Sequence, residues 1–309
     1  MQYRRLGRSG LKLSSISLGS WLTYGGSVDS DAAQACVRAA LDVGIVHFDT
    51  ADVYQGGRAE EVLARGLDGV PRHSVVLATK VFWPTGNGPN DRGTSRKHLH
   101  ESLDGSLRRL GTDYVDILYC HRFDVDTDPE ETVFALNDLV ERGKVLYAGV
   151  SEWPAGRIRE ARDIQRRLGL RALAAVQPKY SMLSRGVERE VLPACRDEGL
   201  GAVAFSPLEQ GLLTGKYRPG ADAPAGSRGA GHANLLRADA LERVERLRPL
   251  AAEAGIPLPH LALAWVLRLP EISSALIGAS RPEQVRENAA AADVQLSTDL
   301  LAAIAQALA

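Results

Sequence analysis

The chain has 309 residues and a mass of 33.2 kDa, with 45% hydrophobic and 24% charged side chains, enough apolar material for one large core. Its 37 basic and 38 acidic side chains leave a formal charge of -1, so no uniform field grips nucleic acid or an anionic membrane, and a small, locally charged ligand fits better. The three cysteines, Cys36, Cys120 and Cys195, are odd in number and far apart, which encodes neither a disulfide framework nor a thiolate metal site and points to a reducing cytoplasm.

The first residues, Met1 to Gly7, have no apolar run after their charges, and no stretch reaches the roughly 18 apolar residues of a membrane span. Neither secretion nor membrane insertion is expected. Two short extended pieces come next, 2–6 and 11–14, and then brief β-branched runs alternate with longer segments of helical period. Strands are expected at 16–19, 46–49, 75–80, 115–121, 145–150, 174–177, 201–205 and 274–278. The helices between and after them fall at 31–43, 58–67, 95–110, 129–142, 155–167, 187–198, 240–254 and 282–291. Such alternation implies a parallel sheet. Eight strand and helix pairs without a break in composition predict an α/β chain folded as one (β/α)8 TIM barrel domain over 1–309. The opening pair forms a β-hairpin that plugs the barrel's bottom. Helices at 259–268 and 298–308 are extras, and the Gly, Ala and Pro-rich segment 216–233 reads as a lid over the seventh strand.

In such barrels chemistry gathers at the carboxyl ends of the strands. Asp49, Lys80 and His121 end three successive predicted strands, and Tyr54 follows Asp49 in the loop. Each alone has a structural explanation: a helix cap, a snorkelling amine, a packed ring. Together they converge on one rim. Asp49 can hold Lys80 protonated, and the cation can favour the phenolate of Tyr54. A unit charge at about 4 Å contributes about 4 kcal/mol at an effective dielectric of 20, and a hundred- to thousandfold gain in acidity needs about 3 to 4 kcal/mol. A tyrosine so tuned can protonate an oxygen that His121 also hydrogen-bonds.

Trp21, Trp83 and Trp153 lie just beyond strand ends and suggest an apolar substrate pocket, whereas Trp265 reads as core. His47 and Thr50 read as core neighbours of Asp49. His98 and His100 are two apart on a helix, and His73 and His232 lie alone in loops, so no metal site is expected. The pairs Arg108-Arg109 and Arg166-Arg167 read as solvated helix faces.

No Gly-x-Gly-x-x-Gly follows a strand, and Gly215-Lys216-Tyr217 lacks the hydroxyl of a phosphate loop. Two other segments offer phosphate chemistry, Ser206 to Lys216 after the seventh strand and Gly278 to Asn288 after the eighth. In the second, Ser280 and Glu283 read as a capping box with Pro282 in the first turn, equally a cap or an anion site.

Phe48-Asp49-Thr-Ala-Asp-Val-Tyr54, Thr79-Lys80, Cys120-His121-Arg122, Gln177, Ser206-Pro-Leu, Gly215-Lys216-Tyr217 and Gly278-Ala-Ser-Arg-Pro-Glu-Gln284 together resemble the aldo-keto reductases over nearly the whole chain. Lys80-Val-Phe-Trp-Pro with Asn90-Asp-Arg-Gly-Thr-Ser-Arg-Lys97 is similar to the branch related to voltage-gated potassium channel β subunits. The resemblance implies a catalytic tetrad of Asp49, Tyr54, Lys80 and His121, a tightly held NADPH, and reduction of an aldehyde or ketone by an NADP-dependent enzyme of the alcohol dehydrogenase type. It places Ser151 and Gln177 at the carboxamide and Phe205 on the nicotinamide ring. Ser206, Leu208, Gly211 and Lys216 follow the pyrophosphate and 2′-phosphate, with Arg228, Gly278, Ser280, Arg281 and Gln284 completing that grip, and Glu287 and Asn288 at the adenine. A homo-oligomer is also implied.

Three positions depart from the family or from the channel branch. Phe205 stands where Trp or Tyr is frequent, Glu152 stands where channel β subunits have Arg, and His121 stands where those subunits commonly have Asn. The histidine favours catalysis over sensing. Two other readings stay open: a nucleotide-state sensor that regulates a protein partner, and a reductase of keto-deoxysugar nucleotides. A lyase forming a Schiff base on Lys80 is disfavoured, because Asp49 keeps the amine protonated.

Overall fold

Short apolar runs separated by amphipathic segments have two faces to bury, and a barrel wrapped in helices buries both. The computed structural model covers residues 1–309 and describes all but Leu22, Thr23, Gly25, Ser27, Val28, Ala172 and the side chain of Ala233. Strands β1 (Tyr3–Arg5) and β2 (Lys12–Ser14) pair as an antiparallel hairpin. There follow β3 (Ile16–Gly19), α1 (Ser30–Asp42), β4 (His47–Asp49), α2 (Arg58–Gly66), β5 (Val76–Val81), α3 (Arg96–Leu110), β6 (Val115–Cys120), α4 (Pro129–Glu141), β7 (Val145–Ser151) and α5 (Ala155–Leu168). The remainder comprises β8 (Ala175–Gln177), α6 (Val191–Glu198), β9 (Gly201–Phe205), α7 (Arg228–Gly231), α8 (Ala238–Glu253), α9 (Leu258–Leu267), β10 (Ile272–Ile277), α10 (Pro282–Ala289) and α11 (Thr298–Leu308). Strands β3 to β10 close in sequence order into a parallel barrel, with β10 paired to β3.

The period of two along each strand divides the core. Val76 and Ala78, Ile117 and Tyr119, Val203 and Leu276 fill the barrel, joined by Leu6 and Leu13 from the hairpin. Their neighbours Leu77, Leu118 and Ala204 face outward, in the core shared with Leu103, Leu136 and Ile158 of the helices. The hairpin is therefore the plug that the sequence predicts. It turns at Gly7, whose φ of +57° favours glycine and whose missing Cβ would fall on Gly199 O and within 2.5 Å of Gly201 N. Arg8 N donates to Gly199 O at 2.9 Å, and Arg4 Nη1 to Leu267 O at 2.6 Å.

Most boundaries move by one or two residues, and the start of α6 by four. Helix α6 starts at Val191, because residues 186–188 turn as a 3-10 segment first. Strand β10 starts at Ile272, with a register shift against β9 between Ile272 and Ser274. The segment 216–233 carries the short helix α7 and is anchored by Tyr217, which is buried with Leu212, Ala240 and Leu241 and accepts from Gly229 N at 2.9 Å. Among the described residues no single helix is long and apolar enough to cross a membrane.

Candidate active site

Strands β4 and β5 run in register, Asp49 beside Ala78, which brings Asp49 and Lys80 together at the barrel mouth. The Lys80 ammonium donates to Asp49 Oδ1 and, at 2.7 Å, to Thr50 O. From the far side Gln177 Nε2 donates to Asp49 Oδ2 at 2.8 Å. Ser151, level with Gln177 across β7 and β8, donates to Gln177 O at 3.0 Å. Asp49 is 2% and Lys80 1% exposed, so the pair is stabilised by mutual attraction and by these additional bonds.

Tyr54 opens a 3-10 turn over Tyr54–Gly57, in which Gln55, Gly56 and Gly57 all have positive φ. The turn carries the ring back over the mouth. Lys80 Nζ lies 4.9 Å from the Tyr54 ring centroid. His121, just past β6, meets Tyr54 edge to face at 5.8 Å, and Trp83 stands 6.3 Å from His121. Burial raises the Tyr54 phenol above its ordinary value, and Lys80 opposes that without overcoming it. This corrects the expectation of a depressed phenol: the cation offsets only part of the desolvation cost. For Lys80 itself burial works against the charge, yet Asp49 and Tyr54 outweigh it and the pKa is raised. Burial, then Lys80 and Arg122, lowers His121 to about 2, so its imidazole is neutral.

The floor of the site is a hydroxyl relay. Ser274 Oγ donates to Ser14 O at 2.7 Å and also bonds Ser17 Oγ, which lies 2.7 Å from His47 Nδ1. With its proton spent on Ser14, Ser274 accepts from Ser17, so His47 Nδ1–H donates to Ser17 and His47 is the Nδ1-protonated neutral tautomer. Behind Lys80, buried Glu60 accepts from Thr79 Oγ1 at 2.6 Å and from Arg109 Nε at 2.6 Å. Arg109 was expected on a solvated face and is instead this partner. Asp52 is buried, accepts from Ser102 Oγ at 2.5 Å, and leaves Oδ1 without a partner. Glu60, Arg109, Asp52, Ser102 and Arg122 were not singled out from the sequence as parts of the site. One signal was available: Glu60 sits among Ala59, Val62 and Leu63 on the apolar face of α2, where a carboxylate demands a partner.

The tryptophans divide. Trp21 and Trp83 are 42% and 38% exposed, Trp21 lying 5.9 Å from the Arg228 guanidinium. Trp153, expected in the pocket, is 3% exposed and packs in the outer core edge-on to Phe123 at 4.9 Å. Trp265 is core, 5.5 Å from Tyr180.

After β9, Ser206, Glu209 and Gln210 all have positive φ and are followed by Gly211 at +103°. Such residues cost about 1 to 3 kcal/mol each and persist where surroundings hold them. Glu209 is fixed by Lys179 and by Ser181 Oγ at 2.5 Å. A Cβ on Gly211 would sit 3.4 Å from Lys216 Nζ. Lys216 Nζ lies 5.2 Å from the Tyr217 ring centroid, and the Tyr217 hydroxyl binds the backbone beside Arg228, so the two cations share one anchor. Among the described residues neither has an acidic partner within 4 Å. Phe205 is half-buried at the end of β9, and Leu208 half-buried after it. Arg281 is the N-cap of α10, with Glu283 at 4.0 Å. The expected capping box is displaced: Gln284 Oε1, not Glu283, accepts from Ser280 N at 2.9 Å, because the helix begins at Pro282. Gly278 has open space where a Cβ would be, Glu287 is exposed and Asn288 buried. Unpaired cations on a strained, glycine-opened loop, beside a half-buried aromatic face, suit a phosphorylated dinucleotide, so these residues fit NADPH.

A model of the aldo/keto reductase family matches residues 15–309. The chain is 46% identical over 303 residues to a probable voltage-gated potassium channel subunit beta of Oryza sativa subsp. japonica, covering 95% of this chain and 92% of that protein. A probable voltage-gated potassium channel subunit beta of Arabidopsis thaliana is 45% identical with the same coverage, and a putative one of Schizosaccharomyces pombe is 41% identical over 304 residues, 94% and 88% of the two chains. Oxidoreductase activity and NADP binding are characteristic of the matched family. With the closed parallel barrel and a match running from the foot of the first barrel strand to the last residue, the chain belongs to the aldo/keto reductase family.

Proposed function

We propose that this chain is an NADPH-dependent reductase of aldehydes or ketones, with residues 1–309 acting as one unit and Tyr54 as the general acid. The observation that carries the reading is the buried Asp49–Lys80 pair set against the Tyr54 ring, with His121 on the ring's edge. Asp49 fixes the charge on Lys80, which makes the amine a poor nucleophile and a permanent electrostatic device. Burial keeps Tyr54 protonated at rest, so it has a proton to give. As the phenolate forms, Lys80 stabilises it, which favours the transition state over the ground state. Neutral His121 can orient the carbonyl oxygen by a hydrogen bond without competing as an acid. When bound, NADPH supplies the hydride. Lys216, Arg228 and Arg281 would hold its phosphates, Ser151 and Gln177 its carboxamide and Phe205 its ring, with Ser206, Leu208, Gly211, Gly278, Ser280, Gln284, Glu287 and Asn288 along the remainder.

A second reading is an NADP(H)-binding, redox-sensing regulatory subunit; the relatives' names, which are those of potassium channel beta subunits, favour it. One assay separates the two: oxidation of NADPH and NADH followed with a panel of aldehydes, ketones and sugar ketones. Multiple turnovers with a carbonyl compound and preference for NADPH are expected. Tight NADP binding without turnover on any member would overturn the reductase reading in favour of the sensor.

A further inference from the structure

Arg122 is a cation at the mouth that the mechanism above does not use. It follows His121 directly, and its Nη1 donates to His121 O at 2.5 Å. Its guanidinium lies 5.7 Å from the Trp83 ring centroid, within cation–π range. The same Trp83 ring stands 6.3 Å from His121, so the guanidinium borders the reacting end of the site. Yet among the described residues no carboxylate lies within 4 Å of it. Asp124, the next acid along the chain, accepts from Thr94 N at 2.7 Å, Thr127 Oγ1 at 2.8 Å and Asp126 N at 3.1 Å, all neutral donors. The acids around the mouth are likewise committed elsewhere: Asp49 to Lys80 and Gln177, Glu152 to Lys179 N, and Glu209 to Lys179 and Ser181.

A partly buried guanidinium with one N–H bonded and, among the described residues, no other partner on its planar fork is a receptor for a carboxylate. Trp83 neighbours both groups, 5.7 Å from the guanidinium and 6.3 Å from the His121 ring. We infer that Arg122 is a specificity-determining residue that selects carbonyl substrates carrying a carboxylate about one aromatic ring away from the carbonyl, with the spacer lying on Trp83. This rests on the reductase reading and narrows its substrate class.

The test compares 4-carboxybenzaldehyde with its neutral isostere 4-carbamoylbenzaldehyde in wild type, Arg122→Gln and Arg122→Lys. The wild type should favour the carboxylate about tenfold in kcat/KM, the size expected of a hydrogen-bonded charge, and the preference should shrink at high ionic strength. In Arg122→Gln the ratio should fall to about one, with the loss in KM for the carboxylate, and Arg122→Lys should keep part of it. A parallel binding titration of 4-methylbenzoate, free of any turnover, should show about tenfold weaker binding to Arg122→Gln. A ratio near one in wild type, or one that survives Arg122→Gln, overturns the inference while leaving the reductase reading intact. Turnover of neither aldehyde, or of any other carbonyl compound, would overturn the reductase reading and the inference with it.

Discussion

Asp52 is a carboxyl group that the fold holds against its ordinary chemistry. Burial lifts it to about 7, against the pull of the Ser102 hydroxyl. Because the folded value lies above the unfolded one, the folded chain keeps a proton that the unfolded chain gives up, and stability falls as pH rises from about 4 to about 7. Asp52→Asn should therefore leave stability near pH 4 unchanged and raise it by about 2 to 4 kcal/mol above pH 7, read from urea unfolding at both pH values. The residues that the sequence discloses are those at or beside strand ends: Asp49, Lys80, His121 and Gln177, because the carboxyl end of a strand has only one place to be in a parallel barrel. Asp52, Glu60 and Arg109 escape such reading. Asp52 meets Ser102 and Glu60 meets Arg109, partners 50 and 49 positions away on α3, and only tertiary packing decides which polar side chain turns inward. The acidity of Tyr54 was misjudged for a related reason, since a count of neighbouring charges omits the cost of the water removed.

At the scale of elements, the strands were legible almost to the residue, because short apolar runs between amphipathic helices admit few alternatives. The helix starts were less so. Ser280 and Glu283 match a capping pattern, but Pro282 takes the first helical position and shifts the cap to Arg281, handing the reciprocal bond to Gln284. The hairpin plug is where one residue carries an element. Gly7→Ala would place a methyl against Gly199 O in a left-handed turn, and should cost about 2 to 4 kcal/mol. A lowered thermal midpoint checks this, with activity per folded molecule retained, because the plug lies at the end of the barrel away from the mouth.

For the whole molecule, burying a polar site inside an apolar barrel leaves a signature in acid. Burial lowers His47 to about 4 and His121 to about 2, so below 6.5 the unfolded chain takes up protons that the fold refuses. Each histidine costs about 1.4 kcal/mol per pH step, and Asp52 returns about the same between 7 and 4. His98 and His100, also lowered by burial, act in the same direction, so unfolding free energy should fall by at least about 1.4 kcal/mol per pH step between 6.5 and 4, and more steeply in Asp52→Asn. A flat profile in both proteins would contradict the buried, neutral state of His47 and His121.

The most direct measurement is single-turnover carbonyl reduction by NADPH-loaded wild type and Tyr54→Phe, with NADPH affinity determined separately. Affinity should change little, while the reduction step should slow by about a hundredfold or more, the share expected of a positioned proton donor. Equal single-turnover rates in the two proteins would remove Tyr54, and the Lys80–Asp49 pair behind it, from the chemistry.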